Sequence, residues 1–153
     1  MEVLDEIAAK KLFLDYEGSS FFMDRDGMRP LYLTAKIDAS TEAIWLEELK
    51  LTWLASLTSP GNWRAVMLLT HHGDFSHLEE LIAVEPLGVF WQKCAFLENL
   101  LHLIKHYKEV FNSEQYRKAI DQITLLATKL TYRVRAADSK ARVQQIIDSA
   151  SEL

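Results

Sequence analysis

Apolar residues recur every three or four positions through most of the chain from residue 40 onward. This spacing puts them on one face of an α-helix, so it predicts a series of helices over 40–153. The most apolar segment, from about Gly88 to Phe111, covers most of a helix circumference and should form the central helix. A shorter amphipathic pattern over 2–16 predicts one further helix. The expected fold is mainly α, either an antiparallel bundle or a short stack of helix pairs.

Residues 19–37 carry a different pattern, which predicts a β-hairpin. The apolar runs Phe21–Met23 and Leu31–Thr34 lie on either side of an Asp-Gly pair, Asp26 and Gly27. Glycine supplies the positive φ that a tight hairpin turn needs. Proline cannot donate a ladder hydrogen bond, so the strand containing Pro30 should lie at an edge.

No Gly/Ser-rich or Pro-rich linker divides the chain, and its 153 residues are too few for two comfortable domains. One domain over 1–153 is therefore expected, with the N-terminal helix and hairpin in 1–38 and the helical core in 40–153. Apolar residues make up 49% of the chain and charged residues 25%, which is typical of a globular protein and disfavours a disordered one.

Composition also narrows the cellular setting and the partners. The single cysteine, Cys94, excludes an intramolecular disulfide and fits a reducing compartment, so a cytoplasmic location is expected. There is no apolar run of eighteen residues and the N-terminus is acidic, so neither a membrane helix nor a signal peptide is expected. The formal net charge of −5 disfavours a dedicated nucleic-acid binder.

Acidic residues are concentrated near the N-terminus. Residues 1–48 carry eleven acidic and five basic residues, whereas residues 101–153 carry nine basic and six acidic ones. An acidic surface steers and selects basic partners, although the same pattern also fits an ordinary solvated face. Trp63, beside Arg64, is a further candidate because tryptophan is enriched at binding hot spots. The acidic partner-binding candidates are Asp24, Asp26, Asp38, Glu42, Glu47 and Glu48.

Histidines suggest a second class of function. His71, His72 and Asp74 lie close together in sequence, and His102 and His106 are four residues apart on the expected central helix. Histidines at this spacing share one helix face and can chelate Zn²⁺, with a third ligand leaving an open catalytic position. A small metal-dependent hydrolase is therefore the alternative hypothesis. The same histidines would also fit helix ends and solvated faces.

Basic residues near the C-terminus suggest a third hypothesis, a nucleic-acid-associated accessory domain. Arg133, Arg135, Lys140 and Arg142 could contact a phosphate backbone. Bases near the C-terminus of a helix also complement its dipole, which is the structural alternative.

The segment Leu54-Ala55-Ser56-Leu57, followed by Ser59-Pro60-Gly61-Asn62-Trp63-Arg64 and an apolar helix, resembles a helix–turn–helix step of small HEAT-like bacterial proteins. The resemblance covers about residues 41–85 and leaves the expected hairpin outside. Some HEAT-like proteins are immunity proteins that neutralise toxins delivered between cells, so the resemblance implies a HEAT-like helix stack that binds a toxin. Together with the acidic segment, this predicts a non-catalytic module, without a cofactor, that binds another protein such as a basic toxin or effector.

Overall fold

A computed structural model describes residues 2–153, and within that range the chain forms α-helices, one 3₁₀ turn and no strand. The mainly α prediction is confirmed. None of the helices in the described range is both long and apolar enough to span a membrane. The elements are α1 (Glu6–Asp15), α2 (Ser20–Arg25), α3 (Arg29–Leu33), α4 (Ala39–Ala55), the 3₁₀ turn Ser56–Thr58, α5 (Trp63–His71), α6 (Leu78–Ile82), α7 (Phe90–His106), α8 (Ser113–Thr131) and α9 (Ala137–Ser151).

The chain divides into two compact units, Met1–Ala55 and Ser56–Leu153. The first contains α1 to α4 and the second contains α5 to α9. The single domain expected from the sequence stays a prediction.

The first unit is built on aromatic side chains that α1 and α4 bury against each other. The rings of Phe13 and Trp45 meet edge to face with 5.5 Å between centroids, a favourable arrangement for an aromatic pair. The indole N–H of Trp53 donates to a Glu17 carboxylate oxygen over 2.7 Å, so its polar atom is satisfied. The buried apolar residues of this unit are Ala9, Phe13, Met23, Tyr32, Trp45, Leu49 and Trp53.

The β-hairpin predicted over residues 19–37 is wrong, because most of this segment forms α2 and α3. Ser19 begins α2 as its N-cap: its hydroxyl oxygen accepts a hydrogen bond from the Phe22 N–H over 3.2 Å. Pro30 lies in the first turn of α3, where its missing N–H would have no partner in any case.

Gly27 does adopt a positive φ, of 71°, but it ends a helix instead of turning a hairpin. Its N–H donates to the Asp24 carbonyl over 3.2 Å, and the Met28 N–H donates to the Met23 carbonyl over 2.8 Å. This pair of bonds is the Schellman arrangement that closes an α-helix behind a left-handed residue. The same Asp-Gly pair is therefore compatible with a hairpin turn and with the C-terminus of a helix.

Replacing Ser19 by alanine tests this helical assignment. Loss of the cap should lower the free energy of unfolding of the first unit by about 1 kcal/mol, measured by urea denaturation. Ser20→Ala is the matched control, since Ser20 is exposed in the first turn of α2 and should change stability by less than about 0.5 kcal/mol. Equal effects of the two substitutions would contradict an N-cap at Ser19.

The second unit is organised around α7, which packs against α5, α8 and α9. This confirms the central helix predicted near residues 88–111. Its free cysteine, Cys94, is buried, and burial raises the pKa of the thiol, so Cys94 acts as an apolar core residue. The buried residues of α7 are Cys94, Phe96, Leu97, Leu100, Leu101, Leu103 and Ile104.

Asn62 joins two connecting segments of the second unit. Its side chain is 1% exposed, and its amide nitrogen donates to the carbonyls of Leu57 and Glu85, each over 2.9 Å. Its amide oxygen accepts from the Leu87 N–H over 3.0 Å. The turn before α5 is thus tied to the segment between α6 and α7. Within the described residues, no buried side-chain nitrogen or oxygen lacks a hydrogen-bond partner.

Candidate functional site

The formal negative charge of the protein belongs to its first unit. Met1–Ala55 contains eleven acidic and six basic residues, whereas Ser56–Leu153 contains eleven of each. The first unit therefore carries the whole net charge of −5. All six acidic candidates predicted from the sequence lie in this unit, and each has a partner within it.

Asp24 and Asp26 form exposed ion pairs beside α2. The Asp24 carboxylate lies 2.8 Å from Arg29, and the Asp26 carboxylate lies 2.7 Å from Arg25. The hydrogen bond from Arg25 lowers the pKa of Asp26. These two carboxylates contribute to the field of the unit, but each has an arginine of the same chain beside it.

Asp38 and Glu42 support local structure. Asp38 accepts hydrogen bonds from the Thr41 N–H over 2.7 Å and from the Ser40 hydroxyl over 2.8 Å, which stabilises the start of α4. The bond from the Thr41 backbone is the main cause that lowers the pKa of Asp38. Glu42 accepts from the hydroxyl of Tyr32 over 2.6 Å, and burial together with this bond raises the pKa of Tyr32.

Glu47 and Glu48 lie on the exposed side of α4 together with two large apolar side chains. Ile44 is 62% exposed and Leu51 is 69% exposed. The four residues follow one another at helical spacing, so they share one side of the helix. We call Ile44, Glu47, Glu48 and Leu51 the outer face of α4.

Both acidic residues of the outer face pair with nearby lysines. Glu47 lies 3.2 Å from Lys50, and Glu48 lies 3.0 Å from Lys10 on α1. The Lys10–Glu48 pair is exposed, and such pairs contribute about 0–1 kcal/mol, so a partner's cation can replace Lys10 at little cost. The Lys50 side chain is only 15% exposed, whereas that of Glu47 is 70% exposed and can also accept from a partner. The outer face thus combines exchangeable carboxylates with exposed apolar area.

Trp63 lies in the second unit, where it forms an aromatic pair with Trp91. The two rings meet edge to face with 5.5 Å between centroids. The side chain of Trp91 is 50% exposed, and that of Trp63 is partly buried. Trp63 is therefore a half-buried member of a surface pair in the second unit, whereas the acidic candidates belong to the first.

Three of the five predicted metal ligands line one hollow. His71 on α5 and His102 and His106 on α7 surround a space of about 430 Å³. The rings of His102 and His106 are stacked, with 5.5 Å between centroids and 21° between planes. The convergence of His71 with this pair, across some thirty residues of sequence, arises from the packing of α5 on α7.

The other two predicted ligands do not join them. His72 does not line this hollow, although its ring meets that of His71 with 5.2 Å between centroids. Asp74 accepts from the Ser76 N–H over 3.0 Å and lies 3.6 Å from His77. No group of three or more His, Cys, Asp or Glu in residues 2–153 is placed to hold a metal ion. The five predicted ligands therefore do not converge on one point within the described residues, and the hydrolase hypothesis stays a prediction.

The basic residues near the C-terminus lie in different surroundings. Arg133 and Arg135 are exposed in the connection between α8 and α9, beside Tyr132, which is 86% exposed. Arg142 instead forms an ion pair with Glu98 over 2.6 Å, which bridges α9 and α7. The hypothesis of a nucleic-acid-associated domain stays a prediction.

The outer face of α4 contains two residues that the sequence analysis did not select. Ile44 fits the same helical pattern as the buried residues of α4, so the pattern gave no reason to expect it on the surface. Leu51 was not among the candidates. The signal that could have found them is their seven-residue separation, which repeats on a side of the helix different from that of Trp45, Leu49 and Trp53.

No family model matches the chain, and neither a curated protein nor a solved structure does.

Proposed function

We propose that the protein is a non-catalytic protein-binding module whose contact surface is the outer face of α4 and whose partner is a basic protein. The observation that carries the proposal is the pair Ile44 and Leu51, both mostly exposed, on either side of Glu47 and Glu48. A helix that is apolar on both sides is normally covered on both sides. Exposed apolar side chains next to charged ones can anchor a partner and pair with its opposite charges.

The inner side of α4 already packs within the first unit. Trp45, Leu49 and Trp53 are buried within the first unit. Ile44 and Leu51 have no such cover and remain available to a partner. Burying one such side chain contributes about 1.5–3 kcal/mol, so two of them supply a useful part of a binding free energy.

Charge selects the class of partner. The unit that carries the outer face has the whole net charge of −5, so it attracts basic proteins and accelerates their association. A second copy of the chain would bring a unit of equal negative charge against it, which opposes self-association through this face. Lysine or arginine side chains of a partner could take the place of Lys10 beside Glu48 and could also reach the exposed carboxylate of Glu47.

A toxin-neutralising immunity protein is the concrete form of this proposal. Toxins that act on nucleic acid are basic where they contact their substrate, and a small acidic module can cover such a surface. The resemblance of residues 41–85 to HEAT-like immunity proteins belongs to the same proposal.

The test compares two double charge reversals on the full chain. Glu47→Lys/Glu48→Lys should abolish capture of a basic partner from the native cell, because it removes both carboxylates of the outer face. Glu79→Lys/Glu80→Lys is matched to it: these exposed adjacent acids on α6 also pair with nearby bases, Lys118 and His77. The matched variant has the same net charge and should retain the partner.

Ile44→Ala/Leu51→Ala then separates contact from charge. This variant keeps every carboxylate, so association should remain fast while dissociation of the captured partner accelerates by tenfold or more, about 1.4 kcal/mol or greater. Surface plasmon resonance with the identified partner measures both rates. A partner that binds all three variants as tightly as the wild type would overturn the proposal.

A further inference from the structure

We propose that His102 and His106 form a chelating site for a borderline divalent transition metal, Cu²⁺, Ni²⁺ or Zn²⁺, on the exposed side of α7. The two residues are four apart on a continuous helix of 17 residues, and both side chains are exposed. Histidines at this spacing project from the same face of a helix and can hold one metal ion between them. The site is independent of the protein-binding surface proposed on α4.

The separation of the two rings suits one shared ion. A metal about 2.1 Å from one nitrogen of each imidazole, with the two bonds at a right or tetrahedral angle, places the ring centres about 5 Å apart. The ring centroids of His102 and His106 are 5.5 Å apart. The ring planes are 21° apart, so a shared ion also requires the two exposed rings to turn until one nitrogen of each points at it.

The helix beneath the pair is held by the core. Leu103 and Ile104, between the two histidines in sequence, are fully buried. This turn of α7 therefore keeps its backbone geometry when the metal binds, so little ordering of the chain opposes binding. The intervening cation, Lys105, lines a second hollow against α9 that His102 also borders, and Lys105 is absent from the lining of the hollow that His102 and His106 share.

Two imidazoles leave coordination positions open toward the 430 Å³ hollow. Its lining also includes His71 and Asn99. Asn99 donates from its amide nitrogen to the Ala95 carbonyl over 2.7 Å, which leaves its amide oxygen to coordinate the ion or to accept a hydrogen bond from a water bound to it. Water completes the coordination of an ion held in this way. Neutral imidazole ligands favour Cu²⁺, Ni²⁺ and Zn²⁺ over Mg²⁺ and Ca²⁺, which prefer oxygen.

Isothermal titration calorimetry of the tag-free full chain near neutral pH tests the site. CuCl₂, NiCl₂ and ZnCl₂ should each bind with one-to-one stoichiometry, Cu²⁺ most tightly, and MgCl₂ should give no binding. His102→Ala and His106→Ala should each weaken binding by more than about tenfold, since each removes half of the chelate. Circular dichroism of both variants checks that the exposed substitutions leave the fold intact.

The matched control is His77→Ala, which removes a histidine from α6's N-terminal end. His77 lies 3.6 Å from Asp74 and 3.4 Å from Glu80, so it is a histidine with possible metal ligands nearby but outside the proposed pair. Its removal should leave the affinity and stoichiometry unchanged. The proposal is overturned if none of the three metals binds saturably, or if His102→Ala/His106→Ala binds them as tightly as the wild type.

Discussion

Replacing Phe96 by alanine is expected to destabilise the second unit by about 3–5 kcal/mol. Phe96 is fully buried in α7, the helix that contacts α5, α8 and α9. Alanine there removes a large apolar side chain and leaves a cavity, and both losses add to the free energy difference.

Urea denaturation measures this loss, and hydrogen exchange locates it. Because the chain contains two compact units, its unfolding need not be a single transition, and amide protection should fall in peptides of 56–153 first. Leu125→Ala is the control: Leu125 is 51% exposed on α8, so the same kind of truncation should cost less than about 1 kcal/mol. A Phe96→Ala loss no larger than that of Leu125→Ala would show that α7 is not the centre of this unit.

The position of α7 could be predicted because its pattern admits one interpretation. A long segment with apolar residues on most sides has to be buried on most sides. Residues 19–37 admit two interpretations. An Asp-Gly pair with aromatic residues before it fits a hairpin turn and a helix C-terminus equally well, since both need a residue with positive φ. The Ser19 cap settles the choice in favour of α2, and a single serine is a weak signal in sequence.

The candidate surface was predictable only in part for a related reason. Periodicity finds the apolar residues of α4, but it does not say which of two apolar sides faces solvent. Trp45 and Ile44 are adjacent in sequence, and the structure buries the first and exposes the second. Which carboxylates have structural roles was also beyond the sequence, because Glu42 meets Tyr32 only after α3 and α4 pack together.

The histidines show which part of a site local spacing predicts and which part depends on how the helices pack. The four-residue separation of His102 and His106 does bring their rings together, as helical geometry requires. Asp74 was placed with them on the strength of proximity to His71 in sequence, but the chain turns after α5 and Asp74 instead accepts from Ser76. The proximity of His102 and His106 within one helix was therefore predictable, whereas the position of Asp74 depends on the turn that follows α5.

Replacing Asn62 by aspartate should destabilise the second unit by about 3 kcal/mol near neutral pH, although the two side chains have nearly the same shape. The Asn62 amide nitrogen faces the carbonyl oxygens of Leu57 and Glu85, and its amide oxygen faces the Leu87 N–H. An aspartate can still accept from Leu87. Its second oxygen would meet two carbonyl oxygens that it cannot satisfy while ionised.

The loss should therefore depend on pH in a defined direction. Burial and two facing carbonyls favour the protonated form, so the pKa of the new carboxyl in the folded state is raised above its value in the unfolded chain. A group of this kind is least destabilising below its unfolded pKa, and the penalty grows as pH rises through the folded pKa.

Urea denaturation at several pH values should show the free energy of unfolding of Asn62→Asp falling further below that of the wild type as pH increases. Asn62→Ala removes the same hydrogen bonds without adding a titratable group, so its difference from the wild type should stay constant with pH. Parallel curves for the two variants would mean that residue 62 is not buried against those carbonyls, and that the turn before α5 is held in some other way.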